Sequence, residues 1–295
     1  MTAREAFSSA RDQLKEACIA EPDAKAREIV AHVLGIGYAD IFFCQHVETA
    51  LLSGIAAMTK RCVLGEPVQY VTGRAYFRHL ELSVTPDVLI PRKETELVAQ
   101  KAIDMVREQD TAAVLDMCTG SGCIAIALAT ETHAQVEACD ISEKALVVAR
   151  RNALEHGASV RFFTSDMFSR VSREYDVIVC NPPYVSEAEY QGLSEDVRLF
   201  EPRIALTAGD GLEYYRRIAR EAAQYLTEDG TLVLEIGARQ GGGVSALLAQ
   251  NFESIECERD YEGRERIVSA RRKQGVPCLR NSTNINGNLL SSKRN

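Results

Sequence analysis

From residue 112 the chain alternates short apolar runs with amphipathic segments, and that alternation limits the folds open to it. The runs are "AAVLDMC" (112–118), "QVEACDI" (135–141), "VRFFTSD" (160–166), "YDVIVCN" (175–181) and "GTLVLEIG" (230–237). Helical patterns such as "SEKALVVARRNALEHG" (142–157) lie between them. Strands that take turns with helices build a parallel sheet covered by helices on both faces. The last stretch, "FESIECERDYEGRERIVSARR" (252–272), offers two strands around "DYEGRE" with no helix between them. It predicts an antiparallel pair closing the sheet.

The region before the alternation is different. In "DAKAREIVAHVLG" the residues Ala26, Ile29, Val30, Val33 and Leu34 recur at helical spacing, and Gly35 follows as a stop. "ALLSGIAAMTKRCVLG" repeats this and ends at Gly65. These segments predict a small helical bundle. In "YFRHLELSVTPDVLI", Leu80, Leu82 and Val84 alternate with polar residues, and "TPD" reads as a turn before "VLIP" returns. A β-hairpin with its turn at "TPD" is expected there. The implied layout is an N-terminal helical domain at 1–70, a hairpin linker at 71–91, a catalytic α/β domain at 92–272 and a basic, disordered tail at 273–295.

Composition narrows the partners. Hydrophobic residues make up 46% and charged residues 26% of 295, as in an ordinary globular chain. No apolar run nears the ~18 residues of a membrane span, and the N-terminus has no apolar core of a signal peptide. The nine cysteines form no CxxC pair, so free thiols in a reducing cytoplasm are expected, and the five scattered histidines suggest no metal site. Net charge is −8, although residues 271–295 carry six basic side chains and no acid. The body is therefore acidic and a poor general partner for nucleic acid.

The first strand runs into "DMCTGSGCIAIALA" (116–129). Gly120 and Gly122 permit a tight turn that brings backbone close to a ligand. Asp140 ends the next strand, where a carboxylate can accept two hydroxyl hydrogen bonds from a ribose. Asp116, Asp140, Asp166 and Asn181 all fall at strand carboxyl ends, the edge at which open α/β sheets bind ligands. The spacing is not the GxGxxG of dinucleotide sites. Asp116, Cys118, Gly120 and Gly122 resemble DxGxGxG, the S-adenosylmethionine loop of class I methyltransferases, with Cys118 in place of the first glycine. The acid Asp116 suits a ligand bearing an ammonium group. Asp166 and Met167 could flank an adenine, the acid taking its amino group and the thioether its face.

The chemistry is expected at "NPPY" (181–184). Pro182 holds Asn181 out of helical space, and Pro183 does the same to Pro182. The Pro182 carbonyl and the Asn181 side-chain oxygen are then two acceptors beside the aromatic face of Tyr184, a clamp for a planar –NH₂ group. Such a nitrogen is a poor nucleophile, because its lone pair takes part in a resonance strong enough to set a rotation barrier of ~18–20 kcal/mol. Acceptors on both N–H bonds orient it and stabilise the positive charge that builds on it. By itself the motif suits an amide or a nucleic-acid base.

Over residues 10–271 the chain resembles the PrmC/HemK family, protein-(glutamine-N5) methyltransferases acting on peptide chain release factors. The likeness rests on "QYVTGRAYF", "VLIPRKETELV", "DMCTGSGCIAIALA", "NPPYV", "FEPRIALTAGDGLEYYRRI", "LEIGARQGGGV" and "DYEGRERIV". It implies a class I S-adenosylmethionine-dependent methyltransferase with a Rossmann-like seven-stranded sheet, preceded by a helical docking domain. It implies S-adenosyl-L-methionine as cofactor, and as substrate the glutamine of the GGQ motif in class I release factors, in the cytoplasm, with no direct nucleic-acid or membrane partner. Carried over, Asp116, Met117, Cys118, Thr119, Gly120, Gly122, Asp140, Asp166, Met167 and Asn181 bind the cofactor. Asn181, Pro182, Pro183 and Tyr184 bind the glutamine amide. Lys93 replaces the common proline of "PRPETE", Met167 stands where relatives often carry a larger aromatic, and Arg92, Glu94 and Glu96 are given no catalytic role. Two other classes compete: an amino-methyltransferase acting on adenine or guanine, and a non-enzymatic cofactor-binding module.

Overall fold

A computed structural model of the protein describes residues 1–107 and 111–278. From residue 279 onward the expected basic tail lies outside the described residues. The chain divides into two compact units, Met1–Ala75 with Val84–Pro86 and Leu193–Glu201, and Tyr76–Ser83 with Asp87–Gly192 and Pro202–Asn295.

The first unit begins with four helices, α1 (Ala3–Glu16), α2 (Pro22–Leu34), α3 (Thr49–Val63) and α4 (Val68–Thr72). Thr2 and Glu5 form a reciprocal capping box at the start of α1. Gly35 closes α2 at φ 63°. Ala26, Ile29 and Val30 of α2 are fully buried with Phe7 and Leu14 of α1 and Ile55 of α3, which is the helical stripe seen in the sequence.

β1 (Arg74–Phe77) and β2 (Leu80–Ser83) pair as the hairpin, and the chain passes into the second unit within β1. The turn falls at Arg78–His79, not at "TPD", and Val88–Ile90 is not a strand. Leu80 and Leu82 do alternate as expected, but their partner strand precedes them. Arg78 takes the left-handed turn conformation at φ 54°. Its side chain fixes it there, donating to both oxygens of Glu131 at 2.7 Å, while its backbone N–H donates to Glu96 Oε1 at 3.0 Å.

The rest of the second unit is built from α5 (Lys93–Val106), β3 (Ala113–Met117), α6 (Cys123–Glu131), β4 (Gln135–Asp140), α7 (Glu143–Glu155), β5 (Val160–Thr164) and β6 (Tyr175–Cys180). There follow the short α8 (Glu187–Tyr190), α9 (Glu195–Phe200) in the first unit, then α10 (Glu213–Glu221), β7 (Leu226–Glu235), α11 (Gly241–Leu248), β8 (Phe252–Arg259) and β9 (Glu265–Arg272). The seven-stranded sheet has the order β5-β4-β3-β6-β7-β9-β8. Five strands are parallel, and β9 runs antiparallel to both β7 and β8. This is the closing pair expected from "DYEGRE".

Both sheet faces are covered. Leu115, Ile178, Leu232 and Val268 point to one face, with Tyr215 and Ile218 of α10 and Val244 of α11. Val114, Val177, Val179 and Val233 point to the other, with α5 and α6. Burial on two faces is why these strands read as continuous apolar runs. Each such side chain contributes about 1.5–3 kcal/mol on full burial.

A buried amide secures the hairpin. Asn152 of α7 accepts from Ser83 N at 2.8 Å and donates to Ser83 O at 3.0 Å and Ser121 O at 2.9 Å. Asn152→Leu removes the partner of three backbone groups, Ser121 O in the interior and the part-buried N–H and carbonyl of Ser83. We expect it to destabilise the fold by on the order of 4 kcal/mol, read as a lowered midpoint in urea denaturation.

Candidate active site

The chain moves outward from β3 to β5, then returns to the far side of β3 as β6. The carboxyl ends of β3 and β6 therefore flank the switch in strand order, where a crevice opens. Met117 pairs in register with Cys180, so Cys118 and Asn181 emerge side by side. A cleft there holds about 950 Å³ of space, part of it open to solvent. Met117, Cys118, Thr119, Gly120, Asp140, Asp166, Met167, Asn181 and Pro183 of the expected site all line it. Asp116, Gly122, Pro182 and Tyr184 do not.

The glycine loop is held by its own hydrogen bonds. Gly120 N donates to Asp140 Oδ2 at 3.0 Å, and Ser142 N donates to Oδ1 at 2.9 Å. Each carboxylate oxygen keeps a lone pair for a ligand hydroxyl. Gly122 is at φ 85°, and a Cβ there would lie 3.2 Å from Ala149 Cβ. Both backbone conformation and space demand glycine at that position.

Asp116 points inward. On the pleat it shares the face of Val114, toward α6, and is 1% exposed. Its Oδ2 accepts from Thr119 Oγ1 at 2.6 Å and from Ala125 N in the first turn of α6 at 3.1 Å. Its Oδ1 is buried without a hydrogen-bond partner. The residues thus fit S-adenosylmethionine at the open lone pairs of Asp140, whereas the orphaned Asp116 oxygen lies off the cleft wall.

Two sulfur residues facing the cleft are left-handed, Cys118 at φ 60° and Met167 at φ 49°, with Sγ and Sδ 3.9 Å apart. Cys118 adopts the conformation a glycine would hold in the loop pattern, which costs a side chain about 1–2 kcal/mol. Cys118→Gly should leave stability within about 1 kcal/mol of the parent, since relieved strain opposes the flexible unfolded chain. Cys118→Val, branched at Cβ, should lose about 2 kcal/mol in the same denaturation assay. Asp166 is exposed and paired with Arg217 at 2.8 Å.

At "NPPY", Asn181 Nδ2 donates to Thr95 Oγ1 at 3.3 Å. Its Oδ1 and the Pro182 carbonyl have no protein donor among the described residues. The Tyr184 carbonyl accepts from Gln240 Nε2 at 3.0 Å, and its hydroxyl donates to Glu235 Oε1 at 3.4 Å.

Thr95 and Glu235 were not among the residues expected from sequence. Glu235 ends β7, so it follows the strand-end rule that singled out Asp116 and Asp140, and that signal was available in "TLVLE". Nothing local tied it to Thr95, 140 residues away, whose hydroxyl donates to Glu235 Oε2 at 2.6 Å. Burial pushes the carboxyls of Asp116 and Glu235 up to about 7, against the bonds from Thr119 and Thr95 that favour their ions. Both therefore bind protons more tightly folded than unfolded. Their joint effect on stability should be most favourable below about pH 4 and should decline as pH rises toward about 7. Thermal scans of Glu235→Gln should show a weaker decline over that window.

Relatives of the chain agree with this architecture. Residues 5–73 match the family described as PrmC N-terminal domain, and residues 94–199 match Methyltransferase small domain. Among solved structures, a methyltransferase from Pyrococcus furiosus shares the fold, with a TM-score of 0.51 at 19% identity over 67% of this chain and 90% of that one. A release factor glutamine methyltransferase of Chlorobaculum tepidum is 39% identical, over 85% of this chain and 90% of its own length. One from Geobacter sulfurreducens is 35% identical, over 92% and 96%. One from Cereibacter sphaeroides is 38% identical, over 92% and 99%. With such identity along nearly the full length of each relative, the chain belongs to the release factor glutamine methyltransferase family.

Proposed function

We propose that the protein transfers a methyl group from S-adenosyl-L-methionine to the side-chain amide nitrogen of the glutamine in the GGQ motif of class I peptide chain release factors. The observation that carries this is the pair of unengaged acceptors, Asn181 Oδ1 on a residue of the cleft wall and the Pro182 carbonyl next to it in the chain. The bound cofactor supplies an electrophilic methyl group. Asp140 would hold its ribose hydroxyls, with the loop around Met117–Gly120 against its body, Asp116 bracing that loop through Thr119, and Asp166 and Met167 at its base.

The chain's own residues do the rest. Asn181 Oδ1 and Pro182 O accept the two N–H bonds of the glutamine amide and hold its nitrogen toward the cleft. As positive charge develops on that nitrogen, two fixed oxygen dipoles stabilise it without reorganising. No base is required before transfer, because the proton becomes acidic only as the nitrogen gains its methyl group, and it then leaves to the solvent that reaches the cleft. Pro183 keeps the Pro182 carbonyl out of helical pairing, and Gln240 pins Tyr184 beside it. The same reading makes residues 1–70 a docking domain, 71–91 a linker and 92–272 the catalytic domain. It places the reaction in the cytoplasm, without direct nucleic-acid or membrane partners. Among the described residues no helix is long and apolar enough to cross a membrane.

The test is competition between substrates. Incubated with methyl-labelled cofactor, a purified release factor and nucleic acid, the protein should label the factor alone. Label on nucleic acid with none on the factor would sink the reading.

A further inference from the structure

An asparagine amide can sit in either of two flips, presenting oxygen or nitrogen to a given place. For Asn181 the choice decides whether the site can hold an –NH₂ group at all. The oxygen accepts from it; the nitrogen meets it donor against donor.

Two buried residues on other elements bear on that choice. Thr95, 3% exposed in the first turn of α5, also faces the cleft. Its hydroxyl donates to Glu235 Oε2 at 2.6 Å. Glu235, 1% exposed, is held in turn by the hydroxyl of Tyr184 on Oε1. A hydroxyl has one proton. Once Thr95 has given it to Glu235, Oγ1 can serve its second neighbour only as an acceptor. That neighbour is Asn181, 3.3 Å away, which must offer Nδ2 and turn Oδ1 elsewhere. Wherever Glu235 is ionised, the polarity of the chain is set at its far end, by a carboxylate that then has no proton to give.

We infer that Thr95 and Glu235 are positioning residues that lock the Asn181 amide with its oxygen toward the substrate, and that this lock selects an amide nitrogen over a carboxylate. The inference rests on the methyl-transfer reading above. It follows that the site rejects glutamate for two reasons. A carboxylate brings no N–H to donate, and it would set its charge against two fixed oxygens.

Without the Thr95 hydroxyl, Asn181 samples both flips, and part of the population meets the substrate with the wrong group. The reacting geometry suffers more than the binding of either ligand, because most contacts with a protein substrate lie elsewhere.

The experiment compares Thr95→Val, close in shape but without a hydroxyl, with Thr95→Ser, which keeps it. Kinetics with a release factor are run near about pH 8, where Glu235 is ionised. Thr95→Val should lower kcat by about 10–100-fold, with KM for the factor and Kd for S-adenosylmethionine within about threefold of the parent. Thr95→Ser should restore kcat to within about threefold. If Thr95→Val does not fold, as judged by circular dichroism, Thr95→Ala is compared with Thr95→Ser by the same measure. An unchanged kcat without the hydroxyl, or failure of serine to restore it, overturns the inference. So does a loss confined to KM or to cofactor affinity. A parent protein that labels no release factor at all would instead overturn the methyl-transfer reading.

Discussion

Asn181→Ala lowers methyl transfer by at least about 10²–10³-fold while S-adenosylmethionine still binds. That is the scale seen when one preorganised polar group is removed from a site where charge develops. The substitution removes Oδ1, one of two acceptors that face no protein donor, and leaves the Pro182 carbonyl alone. The amide nitrogen can then rotate away from the line of attack. Fold stability should change little, since among the described residues the side chain makes a single hydrogen bond, to Thr95 at 3.3 Å. Single-turnover kinetics and calorimetry on the same preparation separate the two effects. A normal rate would mean that the clamp is misassigned, and a loss confined to cofactor affinity would move Asn181 to the other half of the site.

Asp140→Ala produces the complementary result, a loss in cofactor affinity. Its carboxylate orders the loop through Gly120 N and the start of α7 through Ser142 N, and it has lone pairs left for two hydroxyls. Burial pushes this carboxyl up against the bonds that favour its ion. Hydrogen bonds to charged groups contribute about 1.5–3 kcal/mol each, so losing two weakens binding by about 10²-fold or more. Calorimetric titration should show the rise in Kd, and at saturating cofactor much of the rate should return. Unchanged affinity would remove Asp140 from the ribose position.

Much of this arrangement is legible in the amino-acid sequence. The alternation of runs from 112 to 237 required a parallel sheet, and "DYEGRE" marked the antiparallel pair β8 and β9. Asp116, Asp140 and Asn181 stood out because strand ends are where such sheets bind ligands. What was not readable depended on the pleat and on distant contacts. Asp116 shares the α6 face because of its parity along β3, so it caps a helix instead of lining the cleft. The hairpin turns at Arg78 because Glu96 and Glu131 from two later helices hold an arginine in a conformation suited to glycine. No local turn signal reports that. Thr95 and Glu235 meet only because α5 and β7 come together at the switch, and neither residue type is rare where it stands.

The account turns on one nitrogen, and mapping the methyl group tests it most directly. A class I release factor is incubated with the protein and S-adenosylmethionine, digested, and read by fragment mass spectrometry. A single methyl on the side-chain amide of the GGQ glutamine, absent when that glutamine is replaced by alanine or glutamate, is the predicted result. A methyl on any other residue, or one that persists in the glutamate variant, would contradict the account.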